Sequence, residues 1–181
     1  MKNILSNVII GLIVVVGIVF GVMSGINLSS LQLETLKVVG IVCGASVIYC
    51  FVVGEITRNN SQMDKLWSIT PIIYAWIIAA MGQFNFRLII MAVLITIWGA
   101  RLTTNFALKG AYKLKFWEGE EDYRWPILRS KAPFTNKFVW ALFDLFFISI
   151  YQNVLVLGIT LPMIALMEST QGIMWLDFVA T

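Results

Sequence analysis

At 181 residues the chain is long enough for one domain, but with 59% hydrophobic and 13% charged residues it has too few polar side chains to wet a soluble fold. The net charge of +3 comes with no basic stripe interleaved with aromatics, so nucleic acid is excluded as an expected partner. Histidine is absent, which excludes histidine-ligated di-iron chemistry, HExxH peptidases and Ser-His-Asp hydrolysis by this chain alone.

The expected fold is all-α: a polytopic bundle of about five transmembrane helices forming a single domain over residues 1–181, since a helix needs about 20 apolar residues to cross. The first predicted span is about 4–26, behind Lys2. It exceeds a signal-peptide h-region and no A-x-A site follows, so it reads as an uncleaved span. The second, about 36–56, holds Cys43 and Cys50, which lie about 10 Å apart on a helix and read as reduced packing residues. A polar link, Thr57 to Lys65, precedes a short third span at about 66–81 with Pro71 inside it. Tilt, or extension into the interface by Trp67 and Trp76, accommodates its length. The fourth span, about 88–108, carries Arg101 near its end. The long polar stretch 109–137 follows, and then a fifth span at about 138–167, where Asp144 and Gln152 predict a buried polar face.

Placing the N-terminus in the cytoplasm puts Lys2, Arg58, Lys65, Lys109, Lys113, Lys115, Arg124, Arg129, Lys131 and Lys137 inside, with Lys37 and Arg87 outside. This bias marks the 109–137 loop as cytoplasmic and the protein as multi-pass in a bacterial-style inner membrane. Glycines repeat every fourth residue at 17, 21 and 25 and again at 40 and 44. Such faces let helices approach closely; packing within the chain is the preferred reading over dimerisation.

Three polar segments could carry chemistry. Arg101 and Asn105, one helical turn apart after Trp98-Gly99, could hold an anion or a polar headgroup. An arginine snorkelling to the interface fits the same spacing. Asp64 suits a helix N-terminus as a cap. The run Glu118-Gly119-Glu120-Glu121-Asp122-Tyr123-Arg124-Trp125 reads by default as solvated charge. A divalent metal there is the sharper alternative, but the spacing matches no defined metal pattern, and none is expected. No glycine-rich phosphate cradle occurs.

Taken together and in order, these segments resemble the bacterial branch of the steroid 5-alpha reductase-like membrane proteins. The matching residues are Asn60-Ser61, Asp64, Trp67 and Pro71; then Trp98-Gly99, Arg101-Leu102 and Asn105; then Glu121-Asp122-Tyr123-Arg124-Trp125 and Arg129; then Gln152, Pro162 and Asp177. The resemblance implies NADPH-dependent reduction of a carbon–carbon double bond in a steroid-like, isoprenoid or other lipid substrate. Arg101, Asn105, Asp122 and Arg124 would face the cofactor, an arginine fork suiting its phosphate. Glu55 and Tyr74 are the nearest candidates for polarising the substrate. The family's strongest cofactor motif, a histidine-containing stretch nearer the C-terminus, has no counterpart before Thr181. The expectation is therefore a partial or truncated member with an incomplete active site, completed by a partner chain or inactive. Two alternatives stand beside it. One is a non-enzymatic membrane protein that binds lipid or packs against a partner or a second copy. The other is a lipid or prenyl-cysteine methyltransferase-like protein.

Overall fold

The computed structural model describes residues 28–168. The predicted first span, the repeat at Gly17, Gly21 and Gly25, Lys2 and Asp177 lie outside the described residues. Among those described, all regular structure is helical: α1 Ser30–Thr57, α2 Gln62–Leu66, α3 Thr70–Met81, α4 Phe86–Leu108, α5 Arg124–Arg129 and α6 Lys137–Ala165. By length and composition α1, α4 and α6 can each cross a membrane, and they suggest a membrane-embedded protein. Their exposed residues agree, because Ile41, Ile48, Ile56, Ile97, Phe146 and Ile159 all face outward. In water that surface would be a liability, whereas lipid accepts it.

α1 begins before the hydrophobic run because Ser29 and Gln32 form a capping box, each side chain accepting from the other's backbone N–H at 3.2 and 3.0 Å. It ends at Arg58, which turns left-handed at φ 56°. α4 begins at Asn85, whose side chain accepts from the Arg87 N–H.

Within the third predicted span, about 66–81, the helix starts only at Thr70. α2 stops at Leu66 and a tight turn, closed by Ile69 N–H to Leu66 C=O at 3.0 Å, leads into the 12-residue α3. Pro71 sits in α3's first turn, where a missing N–H does no harm but continuation from α2 is blocked. At about 18 Å, α3 alone is shorter than a bilayer core. It instead fills the centre. Tyr74, Ala75, Ile78 and Ala79 are fully buried against Val39, Cys43 and Cys50 of α1 and Ile148 and Val156 of α6. Both cysteines are free and buried.

α4 packs on α3 as a hairpin. Gly99 lets α4 touch the Ser68 carbonyl and Ile72, and Ser68 Oγ meets Thr103 Oγ1 at 2.7 Å. Lipid offers no hydrophobic drive between helices, so such close packing and hydrogen bonds hold the pair.

α6 changes pitch. Asp144–Tyr151 is π-helical, between α-helical Lys137–Phe143 and Gln152–Thr160. The predicted polar face of Asp144 and Gln152 is thereby rotated. Asp144, Ser149 and Asn153 are the buried residues, while Gln152 turns to a different wall. A π turn places residues five apart one above the other, which brings Ser149 Oγ to Asp144 Oδ1 at 3.4 Å.

The expected packing role of the α1 glycines is not seen among the described residues. A Cβ on Gly40 or Gly44 would meet nothing within 4 Å. Both lie on the outward face of α1, because the inward positions are taken by Val39 and Cys43.

Candidate functional site

The α1–α2 turn is built to receive the long loop. Asn59 Nδ2 donates to the Gly119 carbonyl at 3.0 Å and Asn60 N–H to Glu121 Oε1 at 2.8 Å. Ser61 Oγ accepts from Asp122 N–H at 2.8 Å, and Gln62 Nε2 donates to the Trp117 carbonyl at 3.0 Å. Lys65, fully buried, donates from Nζ to the Phe116 and Glu118 carbonyls at 2.8 and 2.7 Å. Four polar side chains, those of Asn59, Ser61, Gln62 and Lys65, therefore satisfy loop backbone that water would otherwise have to solvate. Burial lowers the Lys65 pKa.

Docked in this way, the loop places α5 over the α2–α3 junction. The Trp125 indole Nε1–H donates to Asp64 Oδ2 at 2.8 Å. Arg124 Nη2 reaches Asp64 Oδ1 at 3.2 Å while its Nε reaches Asp122 Oδ1 at 2.7 Å. Asp64 does not cap its own helix, as its position suggested. Its carboxylate bonds across to α5, and the N-cap, Ser61, makes no side-chain cap bond to the helix. Burial works against ionised Asp122, but the Arg124 side chain and backbone N–H outweigh it, holding the carboxyl below its usual value. Glu121 is ion-paired with Arg129, yet burial prevails over Asn60 and Arg129 and raises its pKa. The acidic run is thus not simply solvated: Glu121 and Asp122 are tied into the fold, while Glu118 and Glu120 stay exposed.

These contacts surround a cavity of about 570 Å³. Its polar rim is Asp64, Asn105, Lys109, Asp122, Arg124 and Gln152; its apolar wall is Trp67, Leu102, Phe106, Trp125, Phe147, Tyr151 and Leu155. The volume lies in the range of ligand pockets, and a few converging polar groups on an aromatic wall are their usual character. Phe143, Phe147 and Tyr151 stack along α6 with centroids 5.0 and 5.5 Å apart.

Of the residues singled out from the sequence, Asp64, Trp67, Asn105, Asp122, Arg124 and Gln152 meet on this cavity. Asn60 and Glu121 stand behind it in the loop dock. Arg101 and Trp98 are exposed on α4 outside its lining, Glu55 is exposed near the end of α1, and Tyr74 is buried in the core. Sequence reasoning did not single out Lys109, Phe106, Phe147, Tyr151 and Leu155. The spacing of Phe143, Phe147 and Tyr151 every fourth residue was the available signal.

A protein of Schizosaccharomyces pombe carrying the name of an uncharacterized protein is 42% identical over 101 residues, covering 53% of this chain and 27% of that relative. The chain thus spans about a quarter of the relative's length. No solved structure matches the chain. Residues 50–181 match the family described as "Protein of unknown function (DUF1295)", a match that takes in every cavity-lining residue, and the chain belongs to that family.

Proposed function

We propose that the cavity is the mouth of a cofactor site in a membrane reductase of steroid 5-alpha reductase-like type. Its chemistry would be NADPH-dependent reduction of a carbon–carbon double bond in a lipid, steroid-like or isoprenoid substrate. The observation that carries this reading is the meeting of six residues, spread from Asp64 to Gln152, around one amphipathic cavity. The donor set suits the cofactor. Arg124 and Lys109 supply cations for phosphate, Asn105 and Gln152 supply amides, and Trp67, Phe147 and Tyr151 supply ring surfaces. Bound there, NADPH would provide the hydride. The residues of the chain would orient it, exclude water and leave the apolar wall for the substrate. In this reading the loop dock faces the bacterial cytoplasm, and the residues before α1 add to the span count.

The test is titration of the purified chain in lipid nanodiscs with NADPH, followed by nicotinamide fluorescence. Arg124→Ala should weaken binding about tenfold or more, since a charge-assisted bond contributes about 1.5–3 kcal/mol. Arg101→Ala should leave binding unchanged if the phosphate sits on this cavity. No binding by folded wild type at any attainable concentration would remove the enzyme reading for this chain.

A second reading, a membrane protein that packs against a partner or a second copy, is favoured by the outward-facing Gly40 and Gly44. It expects no response to NADPH and loss of assembly in Gly44→Leu.

A further inference from the structure

We propose that the stretch Tyr112 to Trp117 is an interfacial foot, whose tip inserts into the phospholipid headgroup layer of the membrane that α4 crosses. α4 ends at Leu108, still 83% exposed, and Lys109 begins the loop. The foot therefore starts where an outward-facing apolar helix stops.

The segment is held from both sides. Glu120 N–H donates to the Gly110 carbonyl at 3.1 Å, closing the base. Tyr112 OH donates to the Lys65 carbonyl at 2.9 Å, and Lys65 Nζ donates to the Phe116 and Glu118 carbonyls. The Phe116 ring packs between Tyr49 and Tyr112, with centroids at 6.2 and 5.7 Å. What this frame pushes outward is Lys113, Leu114, Lys115 and Trp117. Leu114 is 109% exposed and Trp117 47%. A braced frame that displays a leucine and a tryptophan between lysines has the composition of a membrane-interface anchor. The Trp117 ring and the leucine enter the headgroup boundary, while Lys113 reaches lipid phosphates.

Local charge sets the kind of lipid. Lys115 is paired with Glu118 at 3.2 Å, and the Glu120 carboxylate lies beside Gly110. The net positive charge of the foot is small, so apolar insertion, not attraction to anionic lipid, drives it. Zwitterionic phospholipid is sufficient.

Trypsin tests this directly, because it cuts after Lys113 and Lys115. Lys131, exposed and beyond α5, serves as the internal reference. In phosphatidylcholine nanodiscs holding one copy of the full chain, cleavage at Lys113 and Lys115 should be about tenfold or more slower than at Lys131. The double variant Leu114→Ser/Trp117→Ser should restore cleavage there and leave Lys131 unchanged. Wild-type cleavage as fast as at Lys131 overturns the proposal and leaves a protein partner as the occupant of the tip. Protection that persists in the double variant also overturns it, since the braced backbone alone would then resist the protease.

Discussion

The carboxylate of Asp64 takes two donors from α5, the Trp125 indole at 2.8 Å and the Arg124 guanidinium at 3.2 Å, and so sets the position of α5 over the cavity. Arg124 shares its remaining reach with Asp122 on the loop, so one guanidinium ties two chain segments together. The strength of this tie is modest, because the Arg124 side chain is 55% exposed and water screens it. Such a pair contributes about 0.2–1 kcal/mol. Its pH dependence follows from the lowered Asp122 pKa: the contribution is present above the ordinary value of 3.8 and is lost as pH falls through the lower folded value. Thermal unfolding of wild type and Asp122→Asn at a series of pH values should therefore show wild type more stable near neutrality. That gap should close as pH falls below 3.8. A gap that persists undiminished well below 3.8 would mean the carboxylate's charge is not what Arg124 senses. Charge type and crowding at Asp64 and Asp122 were readable from the sequence. The partner of Asp64 was not, since Trp125 lies 61 positions away and no local rule reaches that far.

Within elements, length and hydropathy were enough to locate α1, α4 and α6, because a span is a local property of about 20 consecutive residues. Two features escaped that reading for a common reason. The break between α2 and α3 depends on Pro71 acting within an apolar run, and hydropathy does not register a missing N–H. The π segment Asp144–Tyr151 has an ordinary helical composition, and the groups it turns toward α1, Asn153 onto Cys50 Sγ at 3.7 Å and Asp144 beside Gly54, are distant in sequence. The glycines separate in the same way, since contacts rather than spacing decide which ones matter. A Cβ on Gly99 would stand 2.5 Å from the Ser68 carbonyl and 2.7 Å from Ile72 Cδ1; the end of the Ile72 side chain can turn aside, but the Ser68 backbone yields only if the α2–α3 turn moves away from α4. Gly99→Ala should cost about 1–3 kcal/mol by overpacking. Gly44→Ala meets open space and should be neutral or favourable by up to about 1 kcal/mol of helix propensity. Denaturant unfolding in a fixed detergent would compare the two; equal effects would refute a tight hairpin at Gly99.

Across the whole molecule, the loop dock collects the ends of α1 and α4 and the start of α6 at one pole. There Arg58, Lys65, Lys109, Lys113, Lys115, Arg124, Arg129, Lys131 and Lys137 lie together, on the α1–α2 turn, the loop bonded to it and the first residue of α6. The other pole holds the Ser29 cap, the α3–α4 turn and the end of α6, where Gln32 Nε2 bonds the Ile164 carbonyl at 3.1 Å and a Cβ on Gly82 would approach Met167 at 3.5 Å. Lys37 and Arg87 belong to that side. The positive charges counted along the sequence are thus gathered at one pole of the described residues, and the positive-inside rule predicts that this pole faces the cytoplasm. The orientation bears on function, because a cavity rimmed by Lys109 and Arg124 can draw on a soluble cytoplasmic anion only from that pole. A cysteine at the exposed Lys131 position, Lys131→Cys, should react with a membrane-impermeant maleimide in inverted membrane vesicles and not in right-side-out spheroplasts; the native Cys43 and Cys50 are buried. Labelling from the outer face would invert the molecule, place the cavity rim away from cytoplasmic NADPH, and remove the reductase reading together with the orientation.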